Sequence, residues 1–294
     1  MINGIMVAWF TLTALSVLFV AIDIWRNTPE ATVMKWAFII LTVFTGPFGA
    51  FFYVLGCREP IKGMHEQYVS VRWRQVLGST MHCAAGDGVG IVVGAALGSA
   101  LAVTFWSDFA LEYVLGFGFG WAFFQAFAMR DMAGGSYTKS LRMTFFPEFL
   151  SMNVLMAGMQ IAMALGMMWL PAAHHASSPE FWFVASMSLI VGFMFSYPMN
   201  WWLVANHMKH GMMTVRKEPV AAAAMASHDM GRSHDMPAHP EPMADAHSES
   251  MVDMDSHMHS EMGTGPTQAA KVGMTVLSLA VLIIGVLVAH QVSM

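Results

Sequence analysis

The chain has 294 residues, 56% of them hydrophobic and only 11% charged, with a net charge of −5. Ordinary soluble domains carry about twice that share of charge, so the composition excludes a soluble globular protein and reads as an integral membrane protein. Two cysteines in different segments exclude a disulfide scaffold, and the acidic balance offers no basic face for nucleic acid.

Seven apolar stretches are long enough to cross a bilayer as helices: roughly 5–24, 34–56, 76–105, 106–128, 144–170, 181–206 and 272–290. The first lacks a basic leader and an A-x-A cleavage site, so it is expected to stay as a helix. The expected fold is an all-α polytopic bundle of about seven spans. Residues 1–75 hold two helices and a cytoplasmic connection, and 76–217 a four-helix core. Residues 218–270 form a disordered acidic loop, and 271–294 the last helix. Twelve of the 14 Lys and Arg fall in alternate connections, leaving Arg26 and Lys35 opposite. The positive-inside rule then predicts a cell (inner) membrane protein with its amino terminus in the cytoplasm and its carboxyl terminus outside. In the third span Gly86, Gly90, Gly94 and Gly98 recur every four residues, and Gly116 and Gly120 share that spacing in the fourth. Small residues so spaced let helices approach closely, and the two spans are expected to pack tightly.

The third span also carries Met81, His82, Cys83 and Asp87, with Cys83 and Asp87 one turn apart. An ionisable group at that depth marks an ion or proton path, although a protonated Asp87 could equally serve helix packing. In the fifth span Glu148, Met152, Met156, Met159 and Met163 share one face, with Asn153 beside them. This reads as a thioether ladder ending in a carboxylate; the alternative is flexible Met filling gaps between helices. Outside these two spans, Asp108, Glu112, His174 and His175 suggest an outer vestibule. At the other end His207 and His210, near Met208, could pass ions to the bundle or simply be solvated.

Between the sixth and seventh spans, residues 218–266 lose apolar periodicity and carry nine acids against the single Arg232. The word SHDM occurs twice, and the candidate metal ligands are His228, Met230, His234, Met236, His239, His247, His257, Met258 and His259. Thioether with imidazole favours Cu(I), and by extension Ag(I), over hard cations. A low-complexity acidic linker is the plainer alternative. Met sites without Cys suit an oxidising compartment, whereas the cations flanking the spans put this loop in the cytoplasm.

The stretches TMHCAAGDGVG (80–90), MTFFPEFLSMNVLMAGM (143–159) and SYPMNWWLVANHMKHGM (196–212) resemble a bacterial membrane family catalogued as domain of unknown function 4396. The resemblance covers roughly residues 76–215 and implies a multi-pass membrane protein, some members of the family occurring in copper-related contexts. His82, Cys83, Glu148, Met152 and Asn153 match its pattern. The position of Asp87 is often Cys there, and that of Ile91 often Glu.

The expected function is a Cu(I)/Ag(I) channel or secondary transporter with the loop collecting metal. The alternative is a non-transporting metallochaperone or assembly factor for a copper enzyme. Neither reading requires catalysis. Cu(I) is the expected ion, with no organic cofactor; the expected partners are the bilayer, metal ions and a copper chaperone or oxidase, with a homo-oligomer left open. No phosphate-binding G-x-x-x-x-G-K-[ST] loop occurs, so any pumping must draw on an ion gradient.

Overall fold

Three of the long helices start on side-chain caps, which fixes where their apolar runs begin. In the computed structural model, which describes residues 2–130, 135–209, 211 and 265–294, Ser136, Ser178 and Thr267 accept the N–H of Lys139, Phe181 and Ala270. The elements are α1 (Ile2–Asn27), α2 (Thr32–Thr45), α3 (Pro47–Gly56), α4 (His65–Val69), α5 (Arg72–Cys83), α6 (Val89–Leu101) and α7 (Phe105–Phe117). They continue with α8 (Ala126–Ala128), α9 (Tyr137–Trp169), α10 (Pro179–Ala205) and α11 (Gln268–Ser293). Two π-helical segments, Ala84–Gly88 and Gly118–Gln125, join α5 to α6 and α7 to α8. The architecture is an all-α bundle in which α9 packs along both α10 and α11. Large apolar side chains such as Val7, Leu18, Val114 and Ile284 face outward, while Asp87, Glu148, Asn153, Asn200 and Lys209 are buried. That inversion suits a hydrocarbon surround.

Five helical runs are long and apolar enough to cross a membrane: Ile2–Asn27, Arg72–Leu101, Tyr137–Trp169, Pro179–Ala205 and Gln268–Ser293. The run from α7 through the π segment to α8 is not among these five; it lies antiparallel to α5–α6. A methyl group at Gly86 would meet Gly120 at 2.9 Å, one at Gly90 would meet Gly116 at 2.7 Å, and one at Gly94 would meet Glu112 at 2.7 Å. Each step of four along one helix is thus matched by a step back along the other, the close approach that the glycine spacing predicts.

The expected second span, 34–56, is a correction: it does not cross. Phe38 and Tyr53 would sit about 22 Å apart along one helix, yet their rings are 5.7 Å apart. α2 and α3 form a re-entrant hairpin. Gly46 turns the chain at φ +56, a conformation that L side chains resist, and Pro47 starts α3 without an N–H to place. Irregular backbone at membrane depth needs internal partners. Ser186 Oγ donates to the Phe44 carbonyl and accepts from Trp9 Nε1 at 3.1 Å. The base is held by Arg58 on Asp23 at 2.7 Å and by the Tyr53 hydroxyl on the same carboxylate at 2.8 Å. Apolar length alone hid a Gly-Pro turn signal. Connections 28–31 and 57–71 therefore share one end of the bundle, and the second of the seven expected crossings is a hairpin. Among the described residues every Lys and Arg, including Arg26 and Lys35, lies at that end.

A candidate functional site at the helix irregularities

Four helices lose regularity where they meet. The π segment at Ala84–Gly88 faces the one at Gly118–Gln125, α9 carries Pro147 and α10 carries Pro198. Such interruptions free backbone groups and often mark functional positions. Asp87 lies on the first π segment. A methyl group at Gly120 would overlap its carboxylate, so this glycine makes the room that Asp87 occupies.

Cys83 Sγ donates to Asp87 Oδ2 at 3.0 Å and lies 3.3 Å from Ser151 Oγ on α9. Glu148, one turn before Ser151, completes the group, the ligand atoms of Cys83, Asp87 and Glu148 all lying within 4.8 Å of one another. Lys209 closes it from the end bearing the cations. Its Nζ is 2.8 Å from Glu148 Oε2, donates to Ser151 Oγ at 2.8 Å and donates to Asn200 Oδ1 at 3.1 Å. Its three N–H bonds are matched by three acceptors. Lys209 reaches inward because the chain reverses after α10, with His207 at φ +55, a left-handed conformation uncommon outside glycine. Gly211 then packs on the backbone of Gln75. Glu148 and Lys209 are 1% and 4% exposed, and Cys83 and Asp87 are fully buried.

Asp87 Oδ1, Glu148 Oε1 and His82 Nε2 are among the buried atoms that lack a hydrogen-bond partner in the described residues. Two carboxylates against one ammonium leave one negative charge in a dry site. A proton or one monovalent cation cancels it. A thiol with two carboxylates at this separation can close around an ion, since donors on one metal stand about 3–4 Å apart.

A cavity of about 650 Å³ leads from the cation-bearing end to Lys209 and Pro147; Met129, Met143, His207 and Met208 are among its lining residues. Beyond the cluster, Met152 places its methyl beside the Asp87 carbonyl over Gly116. Met156 is buried in the core, and Met159 and Met163 line a void of about 10 Å³ with Glu112, Gln160 and Ser188. Glu112 is therefore buried against Gln160 rather than wetted in a vestibule, since its backbone is pressed against Gly94. The expected vestibule does not assemble around it.

Of the candidates read from the sequence, Cys83, Asp87 and Glu148 converge, with Met152 adjacent. Met81 belongs to the main core, His82 meets the Phe124 ring, and Asn153 ties Tyr113 to Ser278. His207 lies on the cavity wall. His210 and the loop residues His228, Met230, His234, Met236, His239, His247, His257, Met258 and His259 lie outside the described residues. Lys209, Ser151 and Asn200 were not anticipated. Lys209 read as one more flanking cation, and no sequence signal announces the chain reversal that buries it.

Residues 72–209 match the family model described as Domain of unknown function (DUF4396). The matched segment covers just under half of the chain. It begins at α5 and ends on Lys209, so it holds every member of the cluster, whereas the re-entrant hairpin, residues 212–264 and α11 lie outside it. No curated protein and no solved structure matches the chain.

Proposed function

We propose that the protein is a secondary transporter that exchanges a proton for a soft monovalent cation, Cu(I) or Ag(I), at the Cys83–Asp87–Glu148 cluster. One observation carries the reading: two carboxylates and a thiol are buried together with a single ammonium. With Asp87 protonated the site is neutral and Cys83 donates to its carboxyl. With the proton gone a monovalent cation restores neutrality, contacted by the thiol sulfur, Asp87 and Glu148, with the Met152 thioether next along the path. A divalent ion leaves an uncompensated charge unless Cys83 also ionises. Proton and cation thus compete for one vacancy of charge, which couples their movements in opposite directions. The 650 Å³ cavity is the inner approach, and Glu112 with Met159 and Met163 continues the path outward. The His/Met-rich segment at 218–266 concentrates ions on the inner side.

By the positive-inside rule we take the cation-bearing end to face the cytoplasm of a bacterial inner membrane. The start of α1 and the end of α11 then both lie outside. This reverses the amino-terminal orientation expected when 34–56 is counted as a span.

The test is Ag(I) and Cu(I) flux into proteoliposomes, with Zn(II) alongside, for the wild type and Asp87→Asn. The expected outcome is Cu(I)/Ag(I) flux driven by a pH gradient and lost in Asp87→Asn. Metal binding without flux, unaffected by Asp87→Asn, supports instead a membrane metallochaperone for a copper enzyme.

A further inference from the structure

A second group of metal-ligating side chains sits at the base of the re-entrant hairpin, outside the DUF4396 segment. Glu30 comes from the turn between α1 and α2, Cys57 directly follows α3, and His65 opens α4. Their ligand atoms lie within 4.8 Å of one another, and the three residues are 5%, 0% and 0% exposed. His65 Nε2 stands 3.8 Å from Glu30 Oε1 and 3.0 Å from the Cys57 carbonyl, and the Cys57 sulfur lies beside the Glu30 carboxylate.

We propose that Glu30, Cys57 and His65 form a metal site for a borderline divalent cation of the Zn(II) class, pinning the hairpin to α4. The ligand types decide the class. Sulfur, imidazole and carboxylate are the donors that zinc takes together, whereas calcium and magnesium do not recruit a thiol. Charge decides the valence. Thiolate, carboxylate and neutral imidazole sum to two negative charges, so a divalent ion makes the buried site neutral and a monovalent ion leaves it charged. Burial, and then the Glu30 carboxylate, push the Cys57 thiol up from its ordinary range. The ion drives off that proton, one leaving to water for each ion bound as the sulfur–metal bond forms. His65 meanwhile turns a lone pair, rather than an N–H, toward the ion.

The chain has only two cysteines, which makes the site separable from the membrane cluster. Full-length protein in detergent is titrated with Co(II), and the thiolate-to-cobalt charge-transfer absorption is read in the wild type, Cys83→Ser and Cys83→Ser/His65→Gln. The expected result is a band that persists in Cys83→Ser, where Cys57 is the remaining thiol, and that falls to baseline when His65→Gln is added. Proton release of about one per ion accompanies it. A band lost in correctly folded Cys83→Ser, or absent from the wild type, overturns the assignment. If Cys83→Ser fails to fold, Cys57→Ser decides the matter: an unchanged wild-type band there overturns it equally. None of these readouts involves transport.

Discussion

Lys209 stays inside the bundle because three acceptors replace the water that its ammonium loses, and removing it strands the carboxylate it faces. Lys209→Met should therefore lower stability by about 3 kcal/mol, near the usual cost of breaking a buried pair. The double variant Lys209→Met/Glu148→Gln should recover most of the loss. Denaturant unfolding of both in detergent checks this, and a double variant as unstable as the single one argues that Lys209 acts through packing alone. At this scale Cys83, Asp87 and Glu148 were legible, because charge in an apolar helix is rare enough to stand out. Their helical spacing also put Cys83 and Asp87 within one turn of each other. Lys209 was not legible: beside Lys271 in a cation-rich connection nothing distinguishes it, and its placement depends on a left-handed turn at His207 that the hydropathy pattern does not register.

Helix on helix, the glycine stripe is the best-read feature of the sequence and the easiest to break. A methyl group at Gly90 meets the Leu115 carbonyl at 2.5 Å and the Gly116 Cα at 2.7 Å. Both are backbone atoms that cannot turn aside. Gly90→Ala should cost about 1–3 kcal/mol, the usual penalty of overpacking, whereas Gly118→Ala, which meets nothing within 4 Å, should be neutral in the same unfolding assay. The hairpin was the feature misread, since hydropathy registers the length of 34–56 but not its direction. Its consequence is testable by side. Thr32→Cys and Lys62→Cys, both at exposed positions, should react with an impermeant maleimide from the same face of the membrane. Ala172→Cys, in the connection before α10, should react from the other. Labelling of positions 32 and 62 from opposite faces restores a full span.

For the whole molecule the two clusters divide by charge. On the two proposals above, the hairpin base balances a divalent ion, while the membrane cluster, with Lys209 already supplying one positive charge, balances a proton or a monovalent ion. A bundle that swaps one such cation for one proton moves no net charge in a cycle. Its flux should accordingly respond to a pH difference and not to voltage. In proteoliposomes loaded with potassium and treated with valinomycin, an imposed potential of either sign should leave the initial Ag(I) rate unchanged. An opposing pH gradient should reduce or reverse net flux. One elementary charge crossing 100 mV carries about 2.3 kcal/mol, so an uncompensated ion could not escape notice: its equilibrium accumulation would shift by roughly fiftyfold, and electroneutral exchange would be refuted.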